Sequence, residues 1–110
     1  MTAYVSLKKG VRLSNLAPQM AVAILIAAGC YGARGVRQLV VTSCNDSKHG
    51  WGSLHFSGNA VDLRSKNVPR GTLDALVMSL KSALGADCDV VLEDRDGDNE
   101  HIHAEYQPKK

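Results

Sequence analysis

Between Gln19 and Cys30 the chain carries no charged side chain and is apolar on nearly every face. Pro18 suits the first turn of a helix, and Gly29 and Gly32 supply stop signals. A helix without a polar face belongs in an interior, so the rest of the chain has to be built around it. With 110 residues, a chain can bury roughly two thirds of the surface its unfolded form exposes, enough for one core. Residues 1–110 are therefore expected to form a single domain. The run is shorter than the ~20 apolar residues needed to cross a bilayer, and no membrane partner is expected. Its Ala27-Ala28-Gly29-Cys30 end bears a faint likeness to a lipoprotein cleavage site. Cleavage there would discard the best helix of a small domain, so the chain is expected to lack an export signal and to be made in the cytoplasm.

The remaining elements follow from shorter patterns. Arg37 to Ser43 holds a β-branched run, Leu39-Val40-Val41-Thr42, ahead of the turn-forming Asn45-Asp46-Ser47. Asn59 to Arg64 reads as a second strand. Pro69 opens a helix with Leu73, Leu76, Val77, Leu80 and Leu84 on one stripe, closed by Gly85. Asp87 to Glu93 and His101 to Tyr106 read as a hairpin around the polar turn Asp94 to Asn99. This order predicts an α+β fold, a small antiparallel sheet with two main helices.

Charge narrows the partners. Thirteen Lys and Arg against eleven Asp and Glu leave +2, too little for a dedicated nucleic-acid binder. The charge is also segregated, since Asp87 to Tyr106 holds eight acidic residues and one Arg. Asp94, Asp96, Asp98 and Glu105 match positions of a calcium loop, but strands flank them where such a loop needs helices, so a hairpin turn is the better reading. Cys30, Cys44 and Cys88 are odd in number and lack CxxC spacing, which argues against a disulfide framework and a cysteine zinc knuckle.

All four histidines fall in two short segments. His49 and His55 precede the second strand, and His101 and His103 lie on the last one. The segment Ser53-Leu54-His55-Phe56-Ser57-Gly58-Asn59-Ala60-Val61-Asp62 offers an imidazole and a carboxylate, both competent zinc ligands, with small residues between them. Requiring Ser, Gly and Ala at set positions as well makes a chance match about three orders of magnitude rarer. In an extended strand His101, His103 and Glu105 share one face, while Ile102 and Ala104 share the other. If the polar face meets His55 and Asp62, three protein ligands would leave a fourth position for water, the pattern of a catalytic zinc. Glu100, at the turn, is placed to take a proton from that water.

The SxHxxGxAxD segment followed by a late ExxH resembles the D-alanyl-D-alanine carboxypeptidase-like zinc peptidases, relatives of the hedgehog fold. The chain is also similar to the short peptidase-like proteins of small single-stranded DNA bacteriophages. That likeness runs through Leu16-Ala17-Pro18-Gln19-Met20, Val41-Thr42-Ser43, Ser53-Leu54-His55-Phe56, Ala60-Val61-Asp62-Leu63-Arg64 and His101-Ile102-His103-Ala104-Glu105-Tyr106. The resemblance implies a hedgehog/DD-peptidase-like fold, Zn2+ held by His55, Asp62 and His103, and Glu100 as general base. It further implies a monomeric hydrolase acting on short peptidoglycan peptides, reaching the wall through lysis or a helper protein.

Two departures accompany the resemblance. Many relatives carry an Arg after a strand-ending Ser-Gly-Tyr, whereas Ser43 here is followed by Cys44-Asn45-Asp46. Arg64, which shares a strand face with Asp62, is a substitute for holding substrate; His49 and Arg37 are further candidates, and Ser53 is a hydrogen-bonding one. His101 stands where many relatives have Pro or an aromatic residue and could replace His103 as a ligand, and Glu93 is the reserve base. The competing reading is a metal-bearing module that binds cell-wall peptide or a protein partner without cutting it. It gains if Glu100 is out of reach and no other carboxylate replaces it. A phage structural or scaffolding protein would hold no metal.

Overall fold

The two sequence periods, near four for helices and two for strands, resolve into two layers. A computed structural model describes residues 1–14, 16–44 and 59–107. The order is β1 (Tyr4–Leu7), α1 (Pro18–Ala33), β2 (Gln38–Ser43), β3 (Ala60–Arg64), α2 (Arg70–Leu84), β4 (Cys88–Glu93) and β5 (His101–Tyr106). The five strands form one sheet in the order β1-β2-β3-β5-β4. The fold is α+β with two helices, as expected, but the sheet is mixed rather than antiparallel. β1 pairs with β2 in parallel, and the other three pairings are antiparallel.

β1 has no counterpart in the sequence reading. Its four residues lie at a sheet edge and are mostly exposed, so they show no apolar alternation. Its place is fixed from the helix side. The amide of Ala3 donates to the carbonyl of Ala28 at 3.0 Å, and that of Tyr4 to Arg37 at 2.9 Å. The chain crosses α1 at Gly32, where a Cβ would lie 2.0 Å from the Met1 carbonyl oxygen. Only glycine admits so close a backbone approach.

Both helices pack on one face of the sheet. Leu39 and Val41 of β2, Val61 and Leu63 of β3, Val90 of β4, and Ile102 and Ala104 of β5 point into that layer. They meet Met20, Ile24, Ala27 and Tyr31 of α1 and Leu73, Leu76, Val77 and Leu80 of α2. Burying each large aliphatic side chain contributes about 1.5–3 kcal/mol. Tyr31 is fully buried, and its hydroxyl donates to the Arg64 carbonyl at 2.9 Å, tying α1 to the end of β3. α1 is only half interior, however. Val22 and Leu25 are 55% and 66% exposed, because helices on one side of a single sheet leave their outer faces uncovered.

The opposite sheet face is polar and carries the candidate chemistry. Register places Asp62 against His103, Arg64 against His101, and Glu93 against His101. Between β2 and β3 the register slips: Val41 faces Leu63, yet Ser43 faces Asp62. Such an irregularity re-aims side chains at the strand end, here beside Asp62. The hairpin turn after β4 matches expectation, with Asp94 and Asp96 at φ 50° and 63°, a conformation that Asp tolerates better than most residues. The Asp94 carboxylate folds across the turn and accepts from the Asn99 amide at 2.9 Å, so it serves the turn.

Candidate metal centre

Strand alternation delivers the side chains from three neighbouring strands. Asp62 comes from β3, His101 and His103 from β5, and Glu93 from the end of β4. The imidazole Nδ1 of His103 lies 2.8 Å from Asp62 Oδ1 and 3.9 Å from Glu93 Oε1. The Nε2 of His101 lies 3.7 Å from the same Asp62 oxygen and 3.0 Å from the same Glu93 oxygen. One donor atom each from Asp62, Glu93 and His101 fall within 4.8 Å of one another. Zinc bonds of ~2.0–2.2 Å at tetrahedral angles separate donors by about 3.3–3.6 Å, which these distances bracket. The donor set, two imidazoles and carboxylates, is also the chemistry zinc prefers.

Each imidazole is oriented by a second partner. His101 Nδ1 sits 2.6 Å from the Asn99 carbonyl, which only accepts, so the proton is on Nδ1 and Nε2 is the nitrogen turned toward the carboxylates. His103 Nε2 lies 2.7 Å from Glu105 Oε1, leaving Nδ1 for Asp62. A ligand histidine held through its other nitrogen by a carbonyl or carboxylate is the usual arrangement around a metal. Without a cation, the hydrogen bond to Asp62 raises the His103 pKa to about 9, with Glu105 adding to it and burial opposing. Burial pulls His101 down, but the Asn99 carbonyl together with Asp62 and Glu93 leaves it raised. A proton and a cation compete for the same nitrogens.

Glu100, the expected base, lies at the turn with its carboxylate buried. Its side chain is 1% exposed, and both oxygens are engaged. Ser65 Oγ donates to Oε1 at 2.5 Å, Arg70 Nη1 to Oε1 and Oε2 at 3.0 and 2.9 Å, and the Asp96 amide to Oε2 at 2.8 Å. The Ser65 hydroxyl, the Asp96 amide and Arg70 together overcome desolvation and hold its pKa down to about 2. A carboxylate so stabilised is a weak proton acceptor. Glu93 has instead a 48% exposed side chain beside both histidines.

A cavity of about 420 Å3 adjoins Asp62 and His101 and is lined also by Lys8, Thr42, Arg64 and Lys66. Arg64 thus lies in the same cavity as Asp62, as their shared strand face requires. Lys8 was not singled out from sequence, since only the parallel pairing of β1 brings it there. His49, Ser53 and His55 lie outside the described residues. No helix of the described residues is long and apolar enough to cross a membrane. No family model, curated protein or solved structure matches this chain.

Proposed function

We propose that the chain is a zinc-dependent peptidase of the hedgehog/DD-peptidase type acting on short bacterial cell-wall peptides. Asp62 and His103 serve as zinc ligands with His55, and His101 Nε2 stands as a further donor at the same Asp62 oxygen. The observation that carries the reading is the convergence of two oriented imidazoles and two carboxylates on one sheet face. When bound there, zinc would supply Lewis-acid polarisation of the scissile carbonyl and of water. Glu93, half exposed beside both histidines, takes the proton; Glu105 and the Asn99 carbonyl hold the imidazoles in the ligating orientation. Arg64 faces the cavity where substrate enters.

A second reading, the non-hydrolytic binding module, draws support from the engagement of Glu100. One experiment separates the two. Zinc per chain is measured in the purified protein, and cell-wall peptide hydrolysis is compared for wild type, Glu93→Gln and Glu100→Gln. Zinc bound and hydrolysis lost in Glu93→Gln is the expected result. Zinc bound with no hydrolysis by wild type favours the binding module, and no zinc at all defeats both.

A further inference from the structure

We infer that the outer face of α1 is a docking surface for an anionic phospholipid bilayer, with the helix lying in the plane of the lipid headgroups. This face is on the side of the sheet opposite the candidate centre, so it is independent of the peptidase reading. Val22, Leu25, Ile26, Gly29 and Ala33 recur at helical spacing and form one stripe along α1. Val22, Leu25 and Ile26 are exposed, and so is Met78 of α2, which shares with Ile26 an open groove of about 770 Å3 between the two helices. Met1, also exposed, crosses α1 at Gly32 and widens the apolar strip. Single apolar residues scattered over a surface are ordinary, whereas a contiguous set along a helix marks an interaction face.

Charge identifies the occupant. Residues 1–44 carry Lys8, Lys9, Arg12, Arg34 and Arg37, all exposed, and no Asp or Glu. Three of these cations precede α1 and two follow it, so the apolar stripe is cationic at both ends. The two helices contain one acid, Asp74, and Arg95 pairs with it at 2.6 Å. The eight acids between Asp87 and Tyr106 lie on or beside β4 and β5, toward the other edge of the sheet. An apolar stripe between cationic ends is the pattern of a helix that lies in an anionic headgroup layer. A second copy fits less well, because pairing two α1 faces in either direction sets cation against cation. Nor does the stripe offer a hydrogen-bonding side chain, whereas a protein partner would call for about one hydrogen bond per 100–200 Å2. At 16 residues α1 is shorter than the ~20 that a span needs, so the contact is with the bilayer surface. Docked this way, the chain turns Asp62 and His101 away from the lipid and toward the aqueous phase.

The test is co-sedimentation of the full chain with two kinds of vesicle, phosphatidylcholine alone and phosphatidylcholine mixed equally with phosphatidylglycerol. Binding to the anionic vesicles is expected to be at least about tenfold stronger, and to weaken in high salt. The double variant Val22→Ser with Leu25→Ser should lose about tenfold or more of that binding. Val91→Ser, at another exposed apolar position but on β4, should lose none. Arg34→Gln should weaken binding about fivefold, and it serves as the probe if the serine pair does not fold. No sedimentation with either vesicle, equal binding to both, or undiminished binding by the serine pair or by Arg34→Gln overturns the inference. A dimer in sedimentation equilibrium that the serine pair dissolves assigns the face to a second copy and overturns it as well. Hydrolysis of a soluble cell-wall peptide by the zinc-loaded chain should be the same for wild type and the serine pair, so the failure of either reading leaves the other standing.

Discussion

Glu93 and Glu100 flank the same hairpin turn, one leaving β4 and the other entering β5, yet they live in opposite surroundings. Glu100 is sealed by Ser65, Arg70 and the Asp96 amide, which fix the turn to the start of α2 and to the end of β3. Glu93 is half exposed and, among the described residues, meets imidazole nitrogens. Sequence spacing ranks Glu100 first, because it sits three residues before His103; its surroundings engage both of its oxygens. A carboxylate whose proton affinity is driven down by hydrogen bonds is a poor base and serves as a structural anchor.

The largest effect that could break this contrast is on turnover. Glu93→Gln is expected to lower peptide hydrolysis by about 10²–10⁴-fold, the usual worth of a general base. Steady-state rates of the zinc-loaded protein check this, and a full-rate Glu93→Gln beside a dead but folded Glu100→Gln would reverse the two roles. Metal affinity comes next. Replacing Glu105 with Gln, which loosens His103 without touching its Nδ1, should, on the proposed zinc reading, weaken zinc binding by about 10–100-fold in a competition titration with a chelator.

Stability sharpens the contrast from the other side. Glu100→Gln should lower the unfolding free energy by about 2 kcal/mol in urea, since Arg70 and the Asp96 amide lose a charged acceptor. Glu93→Gln should stay within about 0.5 kcal/mol. The pH dependence carries the same signature. The folded pKa of Glu100, about 2, lies below its ordinary value of 4.5, so its contribution is present above pH 4.5 and fades as pH falls toward 2. Part of the wild-type loss of stability over that window should therefore be absent in Glu100→Gln, which equilibrium unfolding at stepped pH would register. The smallest effect concerns the neighbouring surface pair, in which Arg95 Nη1 donates to Asp74 at 2.6 Å. Asp74→Asn should shift the urea midpoint least of these variants, and less still at high salt.

Which features were legible in sequence follows from how local their causes are. The alternation His101-Ile102-His103-Ala104-Glu105 alone divides polar from buried faces, and the strand obeys it. The stripe Leu73, Leu76, Val77 and Leu80 likewise predicts the buried side of α2. β1 was not legible, because Tyr4-Val5-Ser6-Leu7 takes its place from pairing with distant β2 rather than from a pattern of its own. The exposed side of α1 was hidden for a related reason: an all-apolar helix does not announce which face the sheet will leave uncovered. For the site, the motif marked Asp62 and His103, and strand alternation put His101 beside them. The fate of Glu100 depended on Ser65 and Arg70, ordinary residues whose meeting with it no spacing rule encodes.

The slipped pairing of Thr42 and Ser43 against β3 has a practical meaning for anyone redesigning this domain. It brings Ser43 opposite Asp62 at the end of β2, while Cys44, next in the chain, is still buried in the hydrophobic layer. Exchanging Thr42 and Ser43 would alter the surroundings of Asp62 at the strand end while sparing the helices and the other strands.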